Sequence, residues 1–121
     1  MISGIATDRH ATVALIFLLR NGSNIPIEFD IDTGFTGELC LPTEAVSSMG
    51  LTFRHYTPAN LADNSEVLLP IDEATVFWDG EEREVLVIAT GRSPLLGTAL
   101  LDEQELVIQF TEGGLVTIDE L

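Results

Sequence analysis

The sequence predicts an all-β fold, a barrel or a sandwich, with one or two short helices. Runs rich in strand formers recur at intervals of roughly 8 to 12 residues, the spacing typical of such folds. Turn-forming pairs stand between the runs: Asn21-Gly22, Asp63-Asn64, Asp79-Gly80 and Gly113-Gly114. Helical punctuation marks one clear stretch, Leu41–Gly50, and a shorter one after Gly97.

Taken in order, Met1–Ala6 alternates loosely and reads as a short edge strand. Thr12–Leu19 is rich in Val, Ile, Leu and Phe and reads as a buried strand. Asn21-Gly22 turns the chain, because both residues tolerate positive φ. The return strand, about Ile25–Ile31, alternates: Ile25, Ile27, Phe29 and Ile31 share one face, and Glu28, Asp30 and Asp32 the other. Pro26 places the start of that strand at an edge. Pro42 or Thr43 opens the helix, Glu44 sits favourably in its first turn and Gly50 closes it. Leu51–Asn60 is extended, Asp63-Asn64 turns, and Val67–Pro70 and Ala74–Trp78 follow as strands. Asp79-Gly80 turns again, Glu81–Glu84 reads as a solvated loop, and Val85–Ala89 as the partner strand. Ser93-Pro94 breaks the chain. Leu95–Leu101 is an apolar turn leading into a short helix, and Leu106–Phe110 with Leu115–Ile118 forms a last hairpin about Gly113-Gly114.

The 121 residues suffice for one domain and not for two. Twenty acidic against five basic residues give a net charge of −15. That balance disfavours nucleic acid, whose phosphates need Lys and Arg, and favours cationic peptides at long range. It also maintains solubility. The lone Cys40, between Leu39 and Leu41, reads as a buried, inert thiol rather than half of a disulfide. Asp8 and Arg9 interrupt the N-terminus before any leader-like apolar segment forms. The apolar run Val13–Leu19 falls far short of the roughly 20 residues a membrane helix needs. No membrane association is expected, and a reducing cytoplasm is the expected setting. His10 and His55 are far apart with no second ligand beside them, so no metal site is expected.

One stretch carries chemistry: Asp32-Thr33-Gly34, placed where the alternating strand ends. A carboxylate at the end of a buried strand is costly unless solvated, paired or hydrogen-bonded. A glycine two residues on lets backbone N–H groups approach it closely. By itself the tripeptide is also an ordinary polar turn. Further along, Pro94-Leu95-Leu96-Gly97-Thr98-Ala99-Leu100-Leu101 follows a hairpin centred on Leu61-Ala62-Asp63-Asn64-Ser65-Glu66-Val67.

In this order the parts resemble the aspartic proteases, in their single-domain, retropepsin-like branch. Asp32-Thr33-Gly34-Phe35 is similar to the signature of a small prokaryotic group within it. The likeness spans roughly residues 10 to 119 of a single domain, 1–121. It implies a closed acid-protease barrel with a flap-like hairpin at about 56–71. It also implies catalytic Asp32, Thr33 and Gly34, substrate contacts from Asp30, Phe35, Ala62, Asp63 and Asn64, and no cofactor. Phe35 stands where retroviral and pepsin-like enzymes carry Ala or Ser. Thr36 and Gly37 follow where the retroviral enzymes carry Asp.

Such an enzyme needs two carboxylates sharing one proton, and this chain has one Asp-Thr-Gly. The resemblance therefore implies a C2 homodimer with Asp32 of each chain at the axis, and Thr33 bonding across it. The substrate is a peptide or protein. Asp30 has two readings. If it faces the cleft it favours a basic substrate side chain; otherwise it is solvated or bonded to a nearby N–H. Two functions follow from different classes: an aspartic endopeptidase, or a catalytically weak dimeric peptide-binding module of adaptor or antitoxin-like type on the same fold.

Overall fold

The computed structural model describes all residues from Met1 to Leu121. Ten strands form one sheet: β1 Ile2–Thr7, β2 His10–Leu18, β3 Asn24–Ile31, β4 Leu39–Leu41, β5 Thr52–Asn60, β6 Glu66–Trp78, β7 Glu81–Ala89, β8 Leu95–Leu96, β9 Gln104–Ile108 and β10 Gly114–Glu120. Two short helices interrupt them, α1 Thr43–Met49 and α2 Thr98–Leu101. The strand order is β5-β6-β7-β4-β8-β3-β2-β1-β10-β9. A further antiparallel pairing, Ile16–Leu18 of β2 with Thr75–Phe77 of β6, turns the middle six strands into a hydrogen-bonded circuit. The ribbon of β5 with the first half of β6 leaves this circuit on one side, and β1, β10 and β9 leave it on the other.

Local chemistry accounts for most boundaries. Gly50 ends α1 in the left-handed region, φ 64°, and its N–H bonds to Ser47 O. Asp79 and Gly80, φ 52° and 85°, make the tight turn between β6 and β7. Pro26 lies where β3 has β2 on one side only, since β8 joins β3 just at Asp30 and Ile31. The missing N–H therefore costs no ladder bond.

Four expectations need correction. The strand at the N-terminus is not an edge: β1 lies between β2 and β10. Val67–Pro70 and Ala74–Trp78 are parts of one strand, β6, which Pro70 does not break because pairing with β7 begins only at Ile71. Glu81–Glu84 is the start of β7 and not a loop. Leu41 belongs to β4, so the helix begins at Thr43.

The core gathers alternate residues of the circuit. Phe17 and Phe29 are fully buried, with ring centroids 5.9 Å apart. Leu15, Leu39, Leu41, Val76, Val87, Leu96 and Leu100 pack in the same cluster. Burying a side chain of this size contributes about 1.5–3 kcal/mol. That packing holds the ends of β3, β4 and β8 side by side, which fixes the loop after β3. No helix is long and apolar enough to cross a membrane.

Candidate active site

Asp32 is the first residue beyond β3. Its N–H donates to Leu96 O at 2.9 Å, one step after Asp30 N–H donates to Pro94 O at 3.0 Å. The carboxylate is half-buried, and its Oδ1 accepts the Gly34 N–H at 2.9 Å. Phe35 N–H closes the turn onto Asp32 O at 3.1 Å. Gly34 is favoured by proximity to the carboxylate and not by its backbone angle. It is absent from the positive-φ residues, and a Cβ there would stand 3.2 Å from Asp32 Oδ1.

The loop rests on a second platform. Gly97 N–H donates to Glu38 O at 2.8 Å, Thr98 N–H to Phe35 O at 2.8 Å and Ala99 N–H to Gly37 O at 3.2 Å. The free N–H groups at the start of α2 thus bind the carbonyls of the Asp32 loop. Gly97 has no room for a side chain: a Cβ would sit 2.2 Å from Gly37 O and 2.6 Å from the Phe35 ring. The Phe35 ring folds back over Gly37 and Gly97, wedged between the two backbones. Glu38 ties the loop to β7, accepting Leu86 N–H at 2.8 Å beside Arg83 at 3.7 Å. Cys40 is buried, its thiol donates to Thr90 O at 3.2 Å, and burial pushes its pKa up.

Thr33 and Gly34 are exposed. Asp30 lies on the strand face opposite buried Phe29, with Leu95 beside it in register and His10 Nδ1 3.6 Å from Oδ2. Ala62, Asp63 and Asn64 form the exposed tip between β5 and β6. Asn64 takes φ 65°, and Leu61 N–H donates to Ser65 O at 2.8 Å. The Ser65 hydroxyl, then its N–H, holds the Asp63 carboxyl below the usual range. No hydrogen bond ties this tip to Asp32. The structure thus brings Asp32, Thr33, Gly34 and Phe35 into one loop with Asp30 two residues before, and joins the tip to that loop by no hydrogen bond.

The largest surface hollow, about 390 Å³, lies by the β6–β7 turn among Trp78, Asp79, Glu81 and Arg83. Neither it nor the two smaller ones includes Asp32. No cluster of three His, Cys, Asp or Glu side chains is arranged to hold a metal ion. His10 and Leu95 become neighbours of Asp30 only in the folded chain. Both come from register, which the residues alone do not print.

An acidic residue closing one strand, carried by a loop that sits on a Leu-Leu-Gly platform, defines a retropepsin-like fold. A retropepsin-like aspartic protease from Rickettsia conorii, known from its crystal structure, has this fold. It superposes with a TM-score of 0.59 at 20% sequence identity, over 98% of this chain and 91% of that one. No family model and no curated protein sequence matches the chain.

Proposed function

We propose that the chain is an aspartic endopeptidase of retropepsin type, working as a C2 homodimer with residues 1–121 as its single catalytic domain. Asp32 of each protomer meets its copy at the axis. Two carboxylates about 3 Å apart cannot both ionise, so the pair shares a proton and holds a water. The ionised member takes a proton from that water, and the protonated member donates to the scissile carbonyl oxygen. Thr33 bonds across the dimer. Gly34 offers backbone to the carboxylate and the substrate, and Phe35 borders the cleft. The hairpin of about 56–71 closes over the peptide through Ala62, Asp63 and Asn64, and Asp30 favours basic side chains.

The observation that carries this reading is the half-buried Asp32 carboxylate, aimed by the Gly34 N–H and set in an exposed loop that no hollow of a single protomer contains. Such a site suits one half of a dyad. The test is cleavage of unfolded peptides from pH 3.5 to 7, with Asp32→Asn as control. A bell-shaped profile is expected for wild type and no cleavage for the variant. Equal cleavage by both proteins rejects the dyad.

One observation favours a second reading, a dimeric peptide-binding module. β5 is an exposed strand with one neighbour, leaving a row of backbone groups open to strand addition. Binding of an extended peptide without turnover at any pH selects that reading over the first.

A further inference from the structure

Asp30 lies near the end of β3 and Asp32 is the first residue beyond it, where its N–H still bonds to Leu96 O; alternate residues of an extended chain share a face about 7 Å apart. That is also the spacing of alternate side chains in an extended peptide. Asp30 N–H bonds to Pro94 O, just before β8, and Asp32 N–H bonds to Leu96 O of β8, so both residues are tied to the same neighbouring segment. Leu95, half-buried and in register with Asp30, supplies apolar surface beside the carboxylate. An aliphatic wall next to a carboxylate suits the stem and head of Lys or Arg.

The partner that Asp30 keeps is unusual. The chain has five Arg and Lys, and none lies within ion-pair distance of Asp30. Arg54 holds Glu73 and Arg83 holds Glu38. The neighbour of Asp30 is His10, whose side chain is 63% exposed against 35% for Asp30. Imidazole is the side chain whose charge changes within the physiological pH range. Other charged groups around the pair are few. Glu28 and Asp32 share the β3 face, and Asp8 and Arg9 form the turn before His10. Glu112 accepts the Asp8 N–H at 2.9 Å. Thr7 stands opposite His10 on β1, and β8 brings Pro94 and Leu95 with no charge.

We propose that Asp30 and Leu95 form a subsite for a basic substrate side chain, and that His10 is its built-in competitor. Protonated His10 occupies the carboxylate; neutral His10 releases it to Lys or Arg of the peptide. Selectivity for basic residues is therefore higher where His10 is neutral than where it is protonated. This rests on the endopeptidase reading for its position beside the scissile bond, and adds to that reading's basic preference an apolar wall, Leu95, and a competitor for the carboxylate, His10.

The test uses peptides that differ only in Lys or norleucine at each residue flanking the cleaved bond, from pH 4.5 to 7.5. The readout is the ratio of the two kcat/KM values. At neutral pH the wild-type ratio should exceed that of Asp30→Asn by about fivefold to tenfold, the scale of a half-exposed charged hydrogen bond. His10→Ala should hold the high ratio to lower pH than wild type does. An unchanged ratio in Asp30→Asn and in Asp30→Ser overturns the subsite. A pH profile in His10→Ala identical to wild type overturns the competitor. If wild type cleaves no peptide, the endopeptidase reading fails, and binding of the same fluorescent peptides to Asp32→Asn decides the subsite. A Lys preference lost with Asp30 supports it, and equal binding of both peptides, or none, overturns it.

Discussion

Gly97 carries no side chain because two backbones and a ring already fill the space. A methyl group there would meet Gly37 O at 2.2 Å and Phe35 O at 2.7 Å, and neither can move without displacing the Asp32 loop. Gly97→Ala should therefore cost about 3 kcal/mol, read from urea midpoints, with loss of any peptidase activity. A midpoint within error of wild type would mean that the loop does not rest on this platform. Asp72 poses a different problem. It is 7% exposed, follows the inward parity of Ala74 and Val76, and burial pushes its pKa up. A raised carboxyl binds its proton more tightly in the folded chain. Stability therefore falls as pH climbs from the ordinary value of 3.8 through the raised folded value, and stays lower above it. Asp72→Asn removes that slope. Its melting temperature relative to wild type should rise across this window and level off above it. Parallel melting curves at all pH values would count against a buried acid.

At the level of elements, the turns were legible and the joins were not. Asn21-Gly22, Asp79-Gly80 and Gly113-Gly114 announce three hairpins through residues that tolerate positive φ, and Gly50 announces the end of α1. Nothing local announces β4 and β8, whose three and two residues find partners across the chain, Leu39 opposite Val87 and Asp30 opposite Leu95. The neighbourhood of Asp30 was hidden for a related reason. A two-residue loop on Asn21-Gly22 would set Thr12 opposite Ile31. The actual loop is one residue longer, with Gly22 N–H donating to Leu19 O, and sets Thr12 opposite Asp30. One step of register exchanges the faces of a strand, so His10 meets Asp30 only in the longer loop. The place of Asp32 at the end of its strand was legible, because Asp32-Thr33-Gly34 directly follows the alternating run that ends at Ile31. The ribbon of β5 and the first half of β6 follows a different logic. β5 pairs only with β6, shifts register between Phe53 and His55, and contains no buried residue. Amides of Thr57–Val67 should thus exchange with deuterium well before those of β2 and β3, whose core residues are covered. Equal protection of the two regions would show the ribbon to be docked rather than free. Added peptide should slow exchange in this ribbon under either functional reading.

The whole molecule sets two tendencies against each other. Its proposed chemistry needs two copies in contact, yet each copy carries −15 at pH 7. Like charges on two approaching protomers repel over a Debye length, about 10 Å at 0.1 M salt and about 3 Å at 1 M. Contacts at a twofold axis are short-ranged and apolar or hydrogen-bonded, and exposed apolar side chains are available for them. Phe110 is 70% exposed, and Ile5 and Leu115 stand exposed opposite each other on β1 and β10. Screening removes the repulsion while leaving such contacts intact. Added salt should therefore strengthen association, the reverse of its effect on a complex of opposite charges. Sedimentation at micromolar concentration is expected to shift from monomer toward dimer as sodium chloride rises from 0.05 to about 1 M, by this screening argument. Specific activity per protomer should rise along the same curve, because a lone Asp32 has no partner with which to share a proton. An active species that stays monomeric at every salt and protein concentration would separate catalysis from the dimer, and Asp32 would then need its second acid from within its own chain.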